Sequence, residues 1–299
     1  METVWLPLVA GVDGSASGLR AVDWAVAEAS RLALPVKIVH ATMEEDRGAS
    51  RGPGTGTAIA PGHDVGRYLV QVARERARLR DPDVKVSTEL LCGDAVAALL
   101  HAGRNASALV IGARGHGELK DLLLGSVSLG VAARAQCPVV VVRDGDKPPA
   151  DRYGRILLGV ADATSGSEAV RFAFELAAAR GCVLDAMVAW EHPPRTSISR
   201  LLGLPYRDDR GGRRARAVLD EALERSAGEF PSVDVHRVVI EGPARDVLLK
   251  HSEATDLLVV GARRRLNHAG LHLGRVNHAL LHYAGCSVAV VPQWRGPPE

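Results

Sequence analysis

The sequence predicts two tandem copies of one doubly wound α/β domain, each built on a five-stranded parallel sheet in the order 3-2-1-4-5. Three observations lead there. The chain repeats itself at a period near 149 residues. Short apolar runs alternate with helical patterns inside the repeat, the mark of parallel strands joined by crossover helices. With 299 residues, the chain is long enough for two domains that each bury a core.

The repeat is legible in four segments. VAGVDGSASGLRAVDWA from Val9 aligns with LLGVADATSGSEAVRFA from Leu157 at an offset of 148, which brings Gly11 onto Gly159 and Ala21 onto Ala169. At an offset of 149, LLCGDAVAALL matches VIEGPARDVLL with Gly93 on Gly242, ALVIGARG from Ala108 matches LLVVGARR from Leu257, and CPVVVV from Cys137 matches CSVAVV from Cys286. The charged, Gly- and Pro-bearing stretch RDGDKPPADRYG at 143–154 reads as the linker, giving predicted domains at 1–145 and 151–299.

In the first repeat, strands are expected near 4–12, 35–41, 84–91, 107–112 and 138–143. Val22, Ala25, Val26, Ala29, Leu32 and Ala33 recur at helical spacing after strand one, behind Ser17 as the expected cap. GASRGPGTGTAIAPG reads as a loop and is followed by a weaker helix over 64–80. The second repeat has its own aperiodic segment from Glu191, then a helical ARAVLDEALERSA.

Composition narrows the function classes. Hydrophobic residues at 46% and charged residues at 24% describe a globular chain, and aromatics at 4% leave the cores aliphatic. A formal charge of +2, from 37 basic against 35 acidic residues, supplies no drive toward nucleic acid or an anionic membrane. METVWLPLVAGVDG lacks the basic start of a signal peptide, and no run of about 18 apolar residues occurs. A cytoplasmic protein is expected, with neither membrane nor nucleic acid as partner. Cys92, Cys137, Cys182 and Cys286 show no metal spacing and read as buried hydrophobes in a reducing compartment.

The order 3-2-1-4-5 places a switch point between strands one and four, where doubly wound sheets bind ligands. Strand four runs into GARGHGELKDLLLGSVSLG, with glycines at 112, 115 and 117 before Gly125 and Ser126 open a helix. Glycines let backbone amides approach phosphate oxygens, and the helix start offers unpaired amides with a favourable dipole. Ser126 can cap that helix or bond a phosphate. Strand one ends in GVDGS, placing the Asp13 carboxylate across the same crevice, to orient a ribose hydroxyl or merely, with Gly14 and Ser15, to form a turn and cap the first helix.

Gly112-x2-Gly115-x9-Gly125-Ser126, with GVDGS near the start and CPVVVV at the end of the copy, resembles the signature of the universal stress protein family. The resemblance covers nearly the whole chain as two copies. It implies an adenine nucleotide alpha hydrolase-like fold and the family's ATP-binding subclass, whose members act as stress-response regulators or sensors and pair through the last strand. By that resemblance Gly11 and Asp13 border the adenosine, and Ala41 touches adenine through its backbone. Gly112, Ala113, Arg114, Gly115, His116, Gly117 and Glu118, with Gly125, Ser126, Val127 and Ser128, hold the phosphates.

The second copy departs from this pattern. Gly261 and Gly274 remain, but Arg264 replaces the second glycine, Arg275 replaces the serine, and Ala161 stands at the Asp13 position with Asp162 beside it. Arg263, Arg264, Arg265 and Arg275 either form a solvated basic face or fill the vacant pocket themselves, or else they bind a different anion by charge. His268, His272, His278 and His282 include two i,i+4 pairs but no HExxH, and read as surface or packing residues rather than zinc ligands.

Neither a Walker ending nor a full phosphoryl-transfer set is present, although Asp13 could help bind magnesium. The expectation is an ATP-binding regulator with no catalytic residue and at most weak hydrolysis, ATP being held mainly by the first copy. The alternatives are a slow ATPase or nucleotidyl transferase, and a scaffold that binds nothing. The apolar fifth strands predict an internal pseudo-dimer of the repeats within a homodimer, with regulatory protein partners unidentified.

Overall fold

The computed structural model describes residues 6–42, 61–115, 124–143, 153–162, 167–192, 210–263 and 273–293, the side chains of 61–63 excepted. They form two compact units, one built mainly from the first repeat together with Ser287–Val290, the other mainly from the second.

In the first unit the elements run β1 (Leu8–Gly11), α1 (Ala16–Leu32), β2 (Val36–Thr42), α2 (Pro61–Arg80), β3 (Val86–Cys92), α3 (Ala95–Ala102), β4 (Ala108–Gly112), α4 (Ser126–Arg134) and β5 (Val139–Val142). The strands are parallel in the order β3-β2-β1-β4-β5, as expected. Leu8 lies opposite Val36 on one side and Ala108 on the other, so β1 occupies the centre. Its Leu8, Val9 and Ala10 are buried, as are all five residues of β4 and all four of β5. Strands covered on both faces read as continuous aliphatic runs for that reason. Each fully buried Val or Leu contributes about 1.5–3 kcal/mol. Within this unit, Val288, Ala289 and Val290 pair antiparallel with Val141, Val140 and Val139.

Helix α1 buries Ala21, Val22, Ala25, Val26 and Ala29 on the sheet, the stripe visible in the sequence. Of the two caps the sequence offered, the structure takes Ser15 rather than Ser17: Ser15 Oγ accepts from the Gly18 amide at 3.0 Å. The turn at Gly14, with φ 87°, brings the helix start forward by two residues, and Ser17 is buried in the first turn. The helix ends at Ala33, which adopts the left-handed conformation (φ 53°) and returns its amide to Ala29 O. Helix α2 starts at Pro61, three residues before the expected bound, because proline suits a first helical turn. Its Arg76 grips Asp23 of α1 through two hydrogen bonds.

The second unit repeats the pattern with β6 (Arg155–Gly159), α5 (Ser167–Arg180), β7 (Val183–Trp190), α6 (Arg210–Glu229), β8 (Val235–Glu241), α7 (Ala244–Ser252), β9 (Leu257–Arg263) and α8 (Arg275–Tyr283), while of β10 (Ser287–Gln293) only the part from Val291 belongs to it. Strands β8, β7, β6 and β9 are parallel neighbours in that order. Cys137 and Cys286 are buried, but Cys92 at the end of β3 is exposed, correcting the expectation that all four thiols are buried. No helix among the described residues is long and apolar enough to cross a membrane.

Candidate functional site

The crevice between β1 and β4 is assembled from short-range bonds. The Val12 amide donates to Val39 O at 2.9 Å, and His40 Nδ1 donates to Val12 O at 2.8 Å, which fixes the end of β1 against β2. Beyond it, Asp13 Oδ1 accepts from the Ser15 amide (2.9 Å) and hydroxyl (2.6 Å). The turn reading of Asp13, Gly14 and Ser15 is therefore satisfied by one carboxylate oxygen. The other, Oδ2, lies against the second loop, where a Cβ on Gly115 would come within 2.6 Å of it.

That second loop leaves β4. The Ala113 amide donates to Val142 O at 2.8 Å, the Arg114 amide to Ser17 Oγ at 3.3 Å, and the Gly125 amide to Ala113 O at 2.8 Å. Gly125 is thereby the N-cap of α4, and Ser126 is its first helical residue, exposed and not the cap. The backbone amides of Ser126, Val127 and Ser128 have no hydrogen-bond partner among the described residues. Three unpaired amides at the positive end of a helix dipole suit an anion.

The glycines divide by role. At Gly112 a Cβ would meet the Ser17 backbone at 2.6 Å, so its bareness lets α1 approach β4. At Gly11 a Cβ would meet Leu99 of α3 at 2.8 Å. Gly112 is demanded by packing whether or not a ligand binds, whereas at Gly11 the obstacle is the tip of a side chain. Ser128 is buried and donates its hydroxyl to Gly112 O at 2.7 Å, which ties the start of α4 to the end of β4. The sequence offered both Ser15 and Ser17 as caps of α1; the role of His40 and the bond from the Arg114 amide to Ser17 were hidden because they join distant segments.

Asp13, Gly112, Ala113, Arg114, Gly115, Gly125, Ser126, Val127 and Ser128 are thus linked through one loop-to-helix junction. Ala41 lies on the neighbouring β2, two residues beyond the partner of Gly11, half-buried and opposite Leu91. His116, Gly117 and Glu118 lie outside the described residues.

The second unit keeps the frame. Gly159 packs on Leu248 as Gly11 packs on Leu99, and Asn277 Nδ2 donates to Gly261 O at 2.9 Å as Ser128 does to Gly112. The loops differ. Arg263, the counterpart of Arg114, forms an ion pair with Asp162 at the end of β6. Arg264, Arg265, His268 and His272 lie outside the described residues, while the His278 and His282 rings pack together with centroids 4.5 Å apart. No three His, Cys, Asp or Glu side chains among the described residues gather as a metal site requires.

Comparison with known proteins gives one answer. The model of the universal stress protein family matches residues 6–143 and again 152–292. The universal stress protein Rv2623 of Mycobacterium tuberculosis is 33% identical over 291 residues, covering 95% of this chain and 96% of that protein. Rv2005c of the same organism is 32% identical over 298 residues, covering 96% and 97%. A crystal structure of a universal stress protein from Archaeoglobus fulgidus superposes with a TM-score of 0.67 at 18% identity, covering 96% of each chain, a likeness of fold. With both halves matched in tandem on such a sheet, this chain belongs to the universal stress protein family.

Proposed function

We propose that the first copy binds an adenine nucleotide, ATP, in the crevice between β1 and β4, and that the chain acts as a nucleotide-dependent stress-response regulator. One observation carries the reading: the loop whose Gly115 meets Asp13 is also the loop whose Ala113 carbonyl seats Gly125 and the unpaired amides of α4. A carboxylate at one end orients a sugar hydroxyl, and amides with a helix dipole at the other take phosphate. The Ala41 backbone on β2 is the adenine contact, and magnesium is the companion cation of the phosphates. The site acts by favouring one conformation or partner surface, since a bound ligand shifts an equilibrium only through differential affinity.

In the second copy the Arg263–Asp162 pair supplies its own cation and anion where the first copy would receive phosphate. The proposed stoichiometry is one ATP per chain, in a cytoplasmic homodimer. Isothermal titration with ATP, beside mass spectrometry of nucleotide released on denaturation, tests it. One site per chain, lost in Gly115→Arg, is the expected result. Absence of both released nucleotide and an ATP-induced thermal shift would overturn binding, because a ligand of the native state must stabilise it. Steady phosphate release that disappears in Asp13→Ala would make the protein an enzyme instead.

A further inference from the structure

Strand β3 is the outer edge of the first unit, and its hydrogen-bonding phase is fixed by two bonds. Lys85 O accepts from the Val36 amide, and the Gly93 amide donates to Thr42 O. Parallel pairing then turns the odd-numbered residues of β3 toward β2 and leaves the N–H and C=O groups of Val86, Thr88, Leu90 and Cys92 facing outward. These outward groups have no partner among the described residues. Beside them, α2 and β3 border an open groove of about 520 Å3, lined on the helix by Arg67, Tyr68, Val70 and Gln71 and on the strand by Thr88, Glu89 and Leu90. Tyr68, at 67% exposure, and Val72 leave apolar surface at the helix side.

The second unit carries charged side chains across the same place. Arg216 and Arg237 both reach Asp220, at 3.4 and 3.3 Å, so a side-chain bridge joins α6 to β8. In the alignment Arg67 corresponds to Arg216, Gln71 to Asp220 and Thr88 to Arg237. The first unit therefore keeps the helix cation but lacks both the carboxylate that would satisfy it and the arginine that would cross the groove. Glu89 does not serve, since it pairs with Lys37 at 3.0 Å. Strand β8 also carries Arg237, a charge of the kind that protects an edge, where β3 has Thr88.

We propose that the α2–β3 groove of the first unit binds an extended acidic peptide segment of another protein, which adds as a strand to β3 and sets a carboxylate against Arg67. Outward main-chain groups at every second residue recognise an extended backbone, and the groove takes its alternate side chains. The peptide's carboxylate fills the role that Asp220 plays in the sister copy. A second copy of this chain fits less well, because pairing β3 with β3 brings another uncompensated Arg67 in place of a carboxylate.

The test uses the full chain. A phage-displayed library of random peptides of about ten residues is selected on the wild type and counter-selected on Gln71→Asp/Thr88→Arg, which installs the sister copy's bridge. Enriched sequences are expected to share an Asp or Glu with apolar residues at alternate positions. A synthetic copy of the leading peptide is expected to lose about tenfold or more in affinity for the double variant and for Arg67→Ala. Methylating its main-chain nitrogens should abolish binding at one alternate set of positions and not at the other, and amide exchange should slow at Thr88 and Leu90. Thermal unfolding checks each variant, and Arg67→Glu replaces the double variant if that one does not fold. The proposal is overturned if no sequence is enriched, if binding to the folded variants is undiminished, or if both methylation phases are tolerated equally. Sedimentation showing self-association through β3 that excludes the peptide also overturns it.

Discussion

Asp13 Oδ2 lies where a Cβ on Gly115 would stand 2.6 Å away, so the carboxylate and the bare backbone opposite it are a matched pair. In the second copy both members differ together, with Ala161 at the one position and Arg264 at the other. Adding a methyl at Gly115 forces Asp13 to rotate and give up its bonds to Ser15. Gly115→Ala should therefore destabilise the protein by about 1 kcal/mol. The double variant Asp13→Ala/Gly115→Ala should fall short of the summed losses by a similar amount in urea titrations. Strict additivity would show that the two residues do not meet.

Gly112 and Gly125 share a signature but not a consequence. A Cβ at Gly112 would strike the Ser17 backbone at 2.6 Å, and no side-chain rotation relieves that, so Gly112→Ala should cost about 3 kcal/mol. At Gly125 the nearest atom is 3.5 Å away with φ at −72°, so Gly125→Ala should cost no more than about 1 kcal/mol as a poorer cap. Equal losses in urea titrations would contradict the packing account.

Ser128→Ala leaves the Gly112 carbonyl without its buried donor and should destabilise by about 1–3 kcal/mol. Ser128→Asn borrows the residue that does the same job in the second copy and should recover most of that loss. Differential scanning calorimetry separates the two, and an Asn variant as weak as the Ala one would disprove the equivalence.

Ala33 ends α1 in the left-handed conformation, where the aligned Gly181 ends α5 at φ 60°. Left-handed backbone crowds a Cβ, so Ala33→Gly should raise stability by about 0.5–1 kcal/mol, and Gly181→Ala should lower it by about 1 kcal/mol. Opposite signs in the two unfolding midpoints are the expected outcome.

Burial pushes the Cys137 thiol up to about 11. In the unfolded chain the same thiol ionises near pH 8.5. The native state therefore holds its proton longer, and the stability contributed at neutral pH is lost as pH rises from about 8.5 toward 11. Cys137→Ala should flatten that alkaline decline. In native protein at pH 8, a maleimide should modify exposed Cys92 well before Cys137, as peptide mass mapping would show.

The periodicity of the chain revealed the strand order because buried parallel strands must be aliphatic on both faces, as in Val139–Val142. It also revealed the loops that form the crevice. The partners of the glycines were beyond its reach. Gly11 and Gly112 look like ligand-site glycines in the sequence, yet their nearest neighbours are Leu99 and Ser17, which only folding brings close. Ser17 resembled a cap because serine before a helical stripe usually is one; the Asp13–Ser15 bond and the turn at Gly14 moved the start of the helix to Ala16. The Arg263–Asp162 pair was half legible, in the reading that the arginines fill their own pocket, with the acid unidentified.

The bonds from Ser128 to Gly112 O and from Asn277 to Gly261 O draw on nothing but the chain itself. Each copy can therefore hold its final strand-to-helix joint in register with no guest present. A duplicated half kept in shape this way can differ in its loops without losing the architecture.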